Sequence, residues 1–523
     1  MIYFLLPQVH PLIFRDICID VRDSEPQIAV SHSLCNYMNE LKEKISTRDK
    51  EWDVYKKYTN PYEYIHSLVP HKKKAVSKYK PISRSYFKMI EIISEFQIIP
   101  PSLAATGNAS PDYVCDSSVV TSRSFDSFEL FSSNSHSTTK WSPHKSLSCL
   151  MTNTPLSPSA PFTFPVEPPP RSPSFGSGNG CRRSSPIRTF HLAEGPGGFI
   201  EAVCNRRNNR EDNYYGMTIL IDEYDDNVPA WNKTGNFLAQ HANVHIETGA
   251  DGTGNLLHIE NYDYCVAKYG GTMDLVTADG GFDFSKDFNK QEVSITKLLW
   301  GQVCYALALQ RRGGNFVLKI FDCFYEHTID ILYILSSFYS EVIISKLQTS
   351  RVGNSEKYVV CKGFRFATGG STYTDSFSSS AFLSNIRDSF QKICVEINPF
   401  SSASRYVWRL LSKPVPRHFT KQIEDMNAIF GQQQIENIHY TISLIDKQSK
   451  TEKSDQIIRQ HINKCVNWCI EHEIPYNNLI NNNTFVNPAA TFSEMPSSRI
   501  LSHSTSTSKM VVTESSSEFA VLH

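Results

Sequence analysis

The sequence predicts an α/β protein built on a doubly wound, mostly parallel sheet, with helical extensions at both ends. Three observations carry that prediction. From residue 188 onward, strand-length apolar runs alternate with helix-length stretches, the pattern of parallel strands joined by crossover helices. A glycine turn, Glu194-Gly195-Pro196-Gly197-Gly198, directly follows the first apolar run, as where a strand feeds a helix through a tight corner free of side chains. The last two runs are joined only by residues 347–356. That is too short for a crossover helix, so this pair should be antiparallel.

The first strand is expected over 189–194, and the glycine turn opens a helix through 204. Strands follow at 215–222, 243–248 and 273–279. An amphipathic helix is expected over 290–311, then a strand at 315–321, a helix at 327–338, and strands at 341–346 and 357–362. Upstream, Ser83 can cap a helix in which Phe87, Ile90 and Ile93 share a face, with Lys88 beside that stripe. Residues 1–82 form an N-terminal extension. Its strongest basic cluster is His71-Lys72-Lys73-Lys74, continued by Lys78 and Lys80; taken alone, such a cluster reads as a solvated face. Of the 87 residues in 101–187, 21 are Ser and 12 are Pro. So little apolar surface cannot offset chain entropy, and a disordered insertion is expected. Loop-closure cost grows only logarithmically with length, so 83–100 and 188–366 can form one domain around it. Residues 375–475 are expected to be helical and 497–523 to be a disordered tail.

Bulk properties narrow the function classes. The 523 residues are 40% hydrophobic and can build a sizeable core, while a net charge of −1 supplies no global field for nucleic acid. Any RNA contact must therefore come from local patches. The 13 cysteines are scattered, without paired zinc-type spacings, so reduced thiols and no metal are expected. The apolar start, Met1 to Leu6, is short, lacks a basic leader and runs into Pro7, unlike a signal peptide. No segment is long and apolar enough to span a bilayer, and no membrane partner is expected.

In a doubly wound sheet, ligands sit at the carboxyl ends of the strands. Those ends hold Glu194–Gly198, Asp222 and Asp279-Gly280-Gly281, with Lys319 inside Phe316-Val317-Leu318-Lys319-Ile320. Glu356 opens the last strand, and an antiparallel strand would bring it back to the same edge. Singly, Asp222 and Asp279 are good turn residues and Glu356 is a surface charge. Lys319 is harder to dismiss, because a lysine between Leu318 and Ile320 must be paired or snorkel out. Convergence on one edge is what points to chemistry. The glycine spacing does not fit the Gly-x-Gly-x-x-Gly of dinucleotide folds.

That spacing instead resembles the first cofactor motif of S-adenosylmethionine (SAM) methyltransferases. Residues 83–100 and 188–366 together resemble the FtsJ-like family of RNA 2′-O-methyltransferases, which carries a Lys-Asp-Lys-Glu tetrad. Ser83-Arg84-Ser85-Tyr86-Phe87-Lys88-Met89 matches the motif of the first lysine, at Lys88. Ala278-Asp279-Gly280-Gly281-Phe282 places the aspartate at Asp279, Phe316-Val317-Leu318-Lys319-Ile320-Phe321 the second lysine at Lys319, and the run 354–364 the glutamate at Glu356. The runs 278–282, 354–364, 220–232 and 251–255 look most like eukaryotic and viral cap-specific mRNA 2′-O-methyltransferases.

The resemblance implies a Rossmann-like SAM methyltransferase sheet with one antiparallel strand near its end. It implies SAM as cofactor, capped mRNA as substrate, and transcription or capping machinery as partner. It assigns Ala193, Glu194, Gly195, Pro196, Gly197, Gly198, Phe199, Asp222, Asn255, Leu256 and Asp279 to the cofactor. To RNA it assigns Ser83, Arg84, Asn289, Gln291 and Asn354. Lys72, Lys73 and Lys74 would meet the RNA backbone, which implies salt-sensitive binding. Lys319, buried in an apolar strand with Lys88 as a nearby cation, is expected to be the general base. Asp279 and Glu356 would orient the two ammonium groups. Methylation of rRNA or tRNA, and a catalytically silent RNA-binding module, stand as alternatives. An intracellular location follows: nuclear for a cellular enzyme, cytoplasmic for a viral one.

Overall fold

Apolar residues on both faces of the central strands dictate a sheet covered on both sides. The computed structural model describes residues 2–10, 12, 16–100, 185–220, 230–231, 233–281, 288–366, 379–397, 405–447 and 452–479. Its strands are β1 (Ile2–Leu5), β2 (Ile17–Arg22), β3 (Arg188–Leu192), β4 (Asn213–Met217), β5 (Val244–Ile246), β6 (Met273–Ala278), β7 (Gln310–Ile320), β8 (Tyr339–Lys346), β9 (Lys357–Phe364) and β10 (Tyr406–Leu411). The helices are α1 (His32–Ser46), α2 (Asp49–Thr59), α3 (Ser85–Phe96), α4 (Gly198–Arg207), α5 (Gly235–Gln240), α6 (Ile259–Tyr269), α7 (Gln291–Ser294), α8 (Thr296–Leu309), α9 (Glu326–Phe338), α10 (Ser379–Glu396), α11 (Arg417–Lys447) and α12 (Glu452–Glu471).

Eight strands form one sheet in the order β1-β8-β9-β7-β6-β3-β4-β5. Strands β3 to β7 run parallel, and β9 lies antiparallel between β7 and β8. Successive strand residues face opposite sides. Val276 and Leu318 join one core with Tyr262, Trp300, Leu332 and Phe390, from α6, α8, α9 and α10. Leu275 and Val317 join another with Phe87, Phe199 and Trp468, from α3, α4 and α12. Burial on both faces is why these strands read as continuous apolar runs.

Several expectations need correction. One antiparallel strand was expected, and β9 is that strand, but β1 is a second, pairing antiparallel with β8 at the sheet edge. The helix expected over 290–311 breaks at Ile295 and ends at Leu309. Gln310 already begins β7, where its side chain bonds the Asn315 carbonyl and the Tyr339 hydroxyl. The strand expected over 215–222 stops at Met217. The region read as helical over 375–475 contains β10, which pairs with β2 in a separate two-stranded sheet. Residues 101–184 of the expected insertion, the 497–523 tail, Asp222 and Phe282 lie outside the described residues. No described helix is long and apolar enough to cross a membrane.

Candidate active site

Strand register assembles the site. Ala278 pairs with Leu318 in the parallel β6–β7 ladder, so Asp279 and Lys319 leave adjacent strands at one edge. Lys319 pairs with Tyr358 and Ile320 with Lys357 across the antiparallel β7–β9 ladder. The start of β9, and with it Glu356, therefore returns to that edge. Lys88 arrives from α3, which packs on the same face.

Lys88, Asp279, Lys319 and Glu356 meet there. Lys88 Nζ lies 2.6 Å from Glu356 Oε1, and both side chains are almost wholly buried. Lys319 Nζ donates to the Asp279 carbonyl at 2.7 Å and lies 3.2 Å from Asp279 Oδ1. The two pairs are joined by Tyr358, which sequence reasoning missed. Its hydroxyl donates to Asp279 Oδ1 at 2.8 Å and accepts from Lys88 Nζ at 3.2 Å. A tyrosine in a strand reads as core, yet period-two alternation puts residues 356 and 358 on one face, so the signal was present. Burial raises the Tyr358 phenol far above its usual range and the Asp279 carboxylate adds to this, so it stays a proton donor. Burial pushes the Lys88 ammonium down more strongly than Glu356 and Asp279 pull it up, and the charge of Lys319 adds to the downward push. Burial opposes ionisation of Glu356, but Lys88, with Lys319 and Lys346, overrides it and holds the carboxyl well below the carboxylate range.

The glycine turn has a role beyond the one expected. Gly197 sits at φ 106°, a conformation that L side chains rarely adopt. A Cβ on Gly198 would come within 2.2 Å of Ser83 Oγ and Ser85 Oγ. The bare Gly198 thus admits the start of α3, the helix that carries Lys88. The turn also leaves the first amides of α4 without in-helix acceptors, a fit for the carboxylate of an amino-acid ligand. Beside Gly197 packs Trp231, whose buried indole N–H has no partner among the described residues. The Glu194 carboxylate turns beneath the sheet edge, to His191 Nδ1 at 3.1 Å and to Thr277. Burial raises its pKa. Asn255 Oδ1 accepts from Leu257 N at 3.0 Å in the loop after β5, and Leu256 is buried in the core.

The expected RNA contacts fall in separate places. Lys73 and Lys74 line a cavity of about 580 Å³ with Lys78, Lys80, Ser83 and Arg84, so the basic cluster shares a recess with the start of α3. Asn354 is held through its carbonyl and Oδ1 by Lys346 Nζ, at 2.6 and 2.7 Å. Asn289 Nδ2 reaches Glu43 Oε1 at 3.4 Å, and Gln291 opens α7.

Glu91, one turn beyond Lys88, was also missed. It is fully buried and accepts from Gln348 N (2.6 Å), Thr349 N (3.1 Å) and Thr349 Oγ1 (2.8 Å). It thereby fastens α3 to the loop leading to Glu356. Burial pushes its carboxyl up from 4.5 to about 7, against the pull of those hydrogen bonds. Between these two values the folded chain holds a proton that the unfolded chain has released, so this group lowers stability as pH rises through that window. Glu91→Gln removes one acceptor at every pH, a constant cost of about 1–3 kcal/mol, and abolishes the slope. Melting curves from pH 5 to pH 8 should show wild type losing its advantage over the variant; a pH-independent difference would refute this.

The chain is 32% identical over 187 residues to cap-specific mRNA (nucleoside-2'-O-)-methyltransferase 2 of Drosophila melanogaster, covering 34% of this chain and 27% of that one. It is 43% identical over 118 residues to cap-specific mRNA (nucleoside-2'-O-)-methyltransferase 1 of Trypanosoma brucei brucei, covering 22% and 32%. It is 35% identical over 215 residues to the Leishmania braziliensis methyltransferase 1 of the same description, covering 38% and 50%. The chain thus spans between about a quarter and a half of these relatives. Residues 181–364, which contain the glycine turn, Asp279, Lys319 and Glu356, match the family model described as FtsJ-like methyltransferase, and the chain carries an FtsJ-like methyltransferase domain.

Proposed function

We propose that this chain transfers a methyl group from SAM to a ribose 2′-hydroxyl in RNA, and that its substrate is the first transcribed nucleotides of capped mRNA. The observation that carries the reading is the continuous cluster Lys88–Glu356, Tyr358, Asp279–Lys319 at the sheet edge next to the glycine turn. The backbone of 193–198, the first amides of α4, and Asn255 with Leu256 would hold the cofactor. Bound there, SAM supplies an electrophilic methyl group.

A ribose hydroxyl is a weak nucleophile until its proton is removed. Lys319 is the residue placed to accept that proton. Its side chain keeps 13% exposure, against 8% for Lys88. The Asp279 carbonyl and carboxylate fix Nζ from one side, which aligns the base in advance of the substrate. Lys88 is enclosed by Glu356 and Tyr358 and serves as the second cation behind Lys319. The Lys73–Arg84 recess would take the RNA backbone, whose phosphate contacts position without reading sequence. A capped transcript brings the capping or transcription machinery as partner and, in a cellular setting, a nuclear location.

The test supplies labelled SAM with capped and uncapped RNAs of one sequence and locates the methyl by mass analysis. Transfer to a ribose near the cap, and at least tenfold less to uncapped RNA, is the expected result. Equal transfer to both would overturn the cap assignment and favour rRNA or tRNA.

A further inference from the structure

Two helix ends meet away from the sheet edge. Glu95 lies in the last turn of α3, Glu471 ends α12, and His472 follows it. One oxygen of each carboxylate and one ring nitrogen of His472 lie within 4.8 Å of one another. The placement is electrostatically adverse as it stands. A helix C-terminus carries partial negative charge and is stabilised by cations. Neither helix has a basic residue in its last turn; each has a carboxylate there instead. The nearby Arg206 is committed elsewhere, to Glu473 at 3.0 Å and to the His472 carbonyl.

His472 adds a buried imidazole to the two carboxylates. It is 2% exposed, and its buried Nδ1 has no hydrogen-bond partner among the described residues. Leaving a buried polar group unpaired is costly, and a bound ion or water is among the partners that would satisfy such a group. Trp468, with ring centroids 4.3 Å apart, fixes the ring.

We propose that Glu95, Glu471 and His472 form a binding site for a divalent transition-metal ion that fastens the end of α12 to the end of α3. One neutral imidazole with two carboxylates is a donor set that suits zinc, leaving water as the fourth ligand. Zinc ligand atoms stand about 2.0–2.2 Å from the ion, and both glutamates, being exposed, are free to adjust to that distance. The ion cancels the charge gathered at both helix ends and takes one nitrogen of the imidazole as a ligand. It also braces α3 two turns beyond Lys88. The ligands come from elements far apart in the chain, which is why no sequence spacing announced them.

The test uses the full chain, stripped with a chelator and titrated with zinc chloride by calorimetry, alongside thermal melts. One zinc per chain and a raised Tm are expected. The double variant Glu95→Gln/Glu471→Gln, at exposed positions, is expected to fold with an undiminished metal-free Tm. It should lose at least about tenfold in zinc affinity and lose the Tm response. Cobalt substitution should give a nitrogen–oxygen spectrum without thiolate charge-transfer bands. No zinc binding, stoichiometry and Tm response unchanged in the double variant, or thiolate bands would each overturn the proposal.

Discussion

Lys319→Ala is expected to cut methyl transfer by about 10³-fold, within the range for loss of a positioned general base, while SAM binding persists. Retained SAM binding separates this variant from a folding defect. Lys319 leaves behind Asp279, which keeps the Tyr358 hydroxyl as donor at 2.8 Å. Removing the lysine leaves the Asp279 carboxylate, 14% exposed, without its ammonium partner, so some loss of stability accompanies the loss of activity. Lys319→Arg sharpens the test, because a guanidinium keeps the positive charge but cannot be deprotonated in a protein. If Lys319 is the base, the arginine variant is as inactive as the alanine variant. If it serves only as a fixed cation, arginine restores much of the rate. Single-turnover transfer on capped RNA, with cofactor binding measured in parallel, distinguishes these outcomes. Full transfer by Lys319→Ala with bound SAM would refute the assignment.

The site was more legible in the sequence than the fold around it, for physical reasons. Lys88, Asp279, Lys319 and Glu356 stand in short segments whose neighbours are strand-like or turn-like. The shortness of 347–356 alone implies that Glu356 returns to the edge holding Asp279. The supports were less visible. Glu91 sits on an apolar helix face, where its three partners from 348–349 cannot be anticipated. Tyr358 looks like packing until Lys88 and Asp279 are placed either side of it. Long-range pairings were the least visible. Strand β1 matches residues such as Tyr3 with Ser345, and β2 finds β10 from the far end of the chain. Four to six residues have too little periodicity to declare a strand, and only the distant partner makes one of them. The α8–β7 junction failed differently. Helical spacing continues past Leu309, but Gln310 is claimed by Asn315 and Tyr339 and turns the chain into the sheet.

Breaking the Lys88–Glu356 pair from one side should cost stability as well as activity. Glu356→Gln leaves a buried ammonium without its carboxylate, and the loss of one partner of a buried pair costs about 3–5 kcal/mol. Ser350 Oγ, which donates to Glu356 Oε1 at 2.7 Å, can still reach the amide oxygen of glutamine, so the deficit belongs to Lys88. The double variant Lys88→Met/Glu356→Gln removes the stranded charge and keeps the volume of the long side chain. It should recover most of the lost stability in denaturant unfolding, since replacing both members of a buried pair is often near neutral. It should recover none of the methyl transfer, because the cation behind Lys319 is gone. The pH dependence gives an independent check. The Glu356 carboxyl is held below its ordinary 4.5 in the fold. Its contribution is therefore present above that value and is lost as pH falls toward the depressed pKa. The stability gap between wild type and Glu356→Gln should accordingly be full at neutral pH and narrow below about pH 4.5. A gap that stays constant into acid, or a double variant no more stable than Glu356→Gln, would mean that the pair is not what holds α3 to the start of β9.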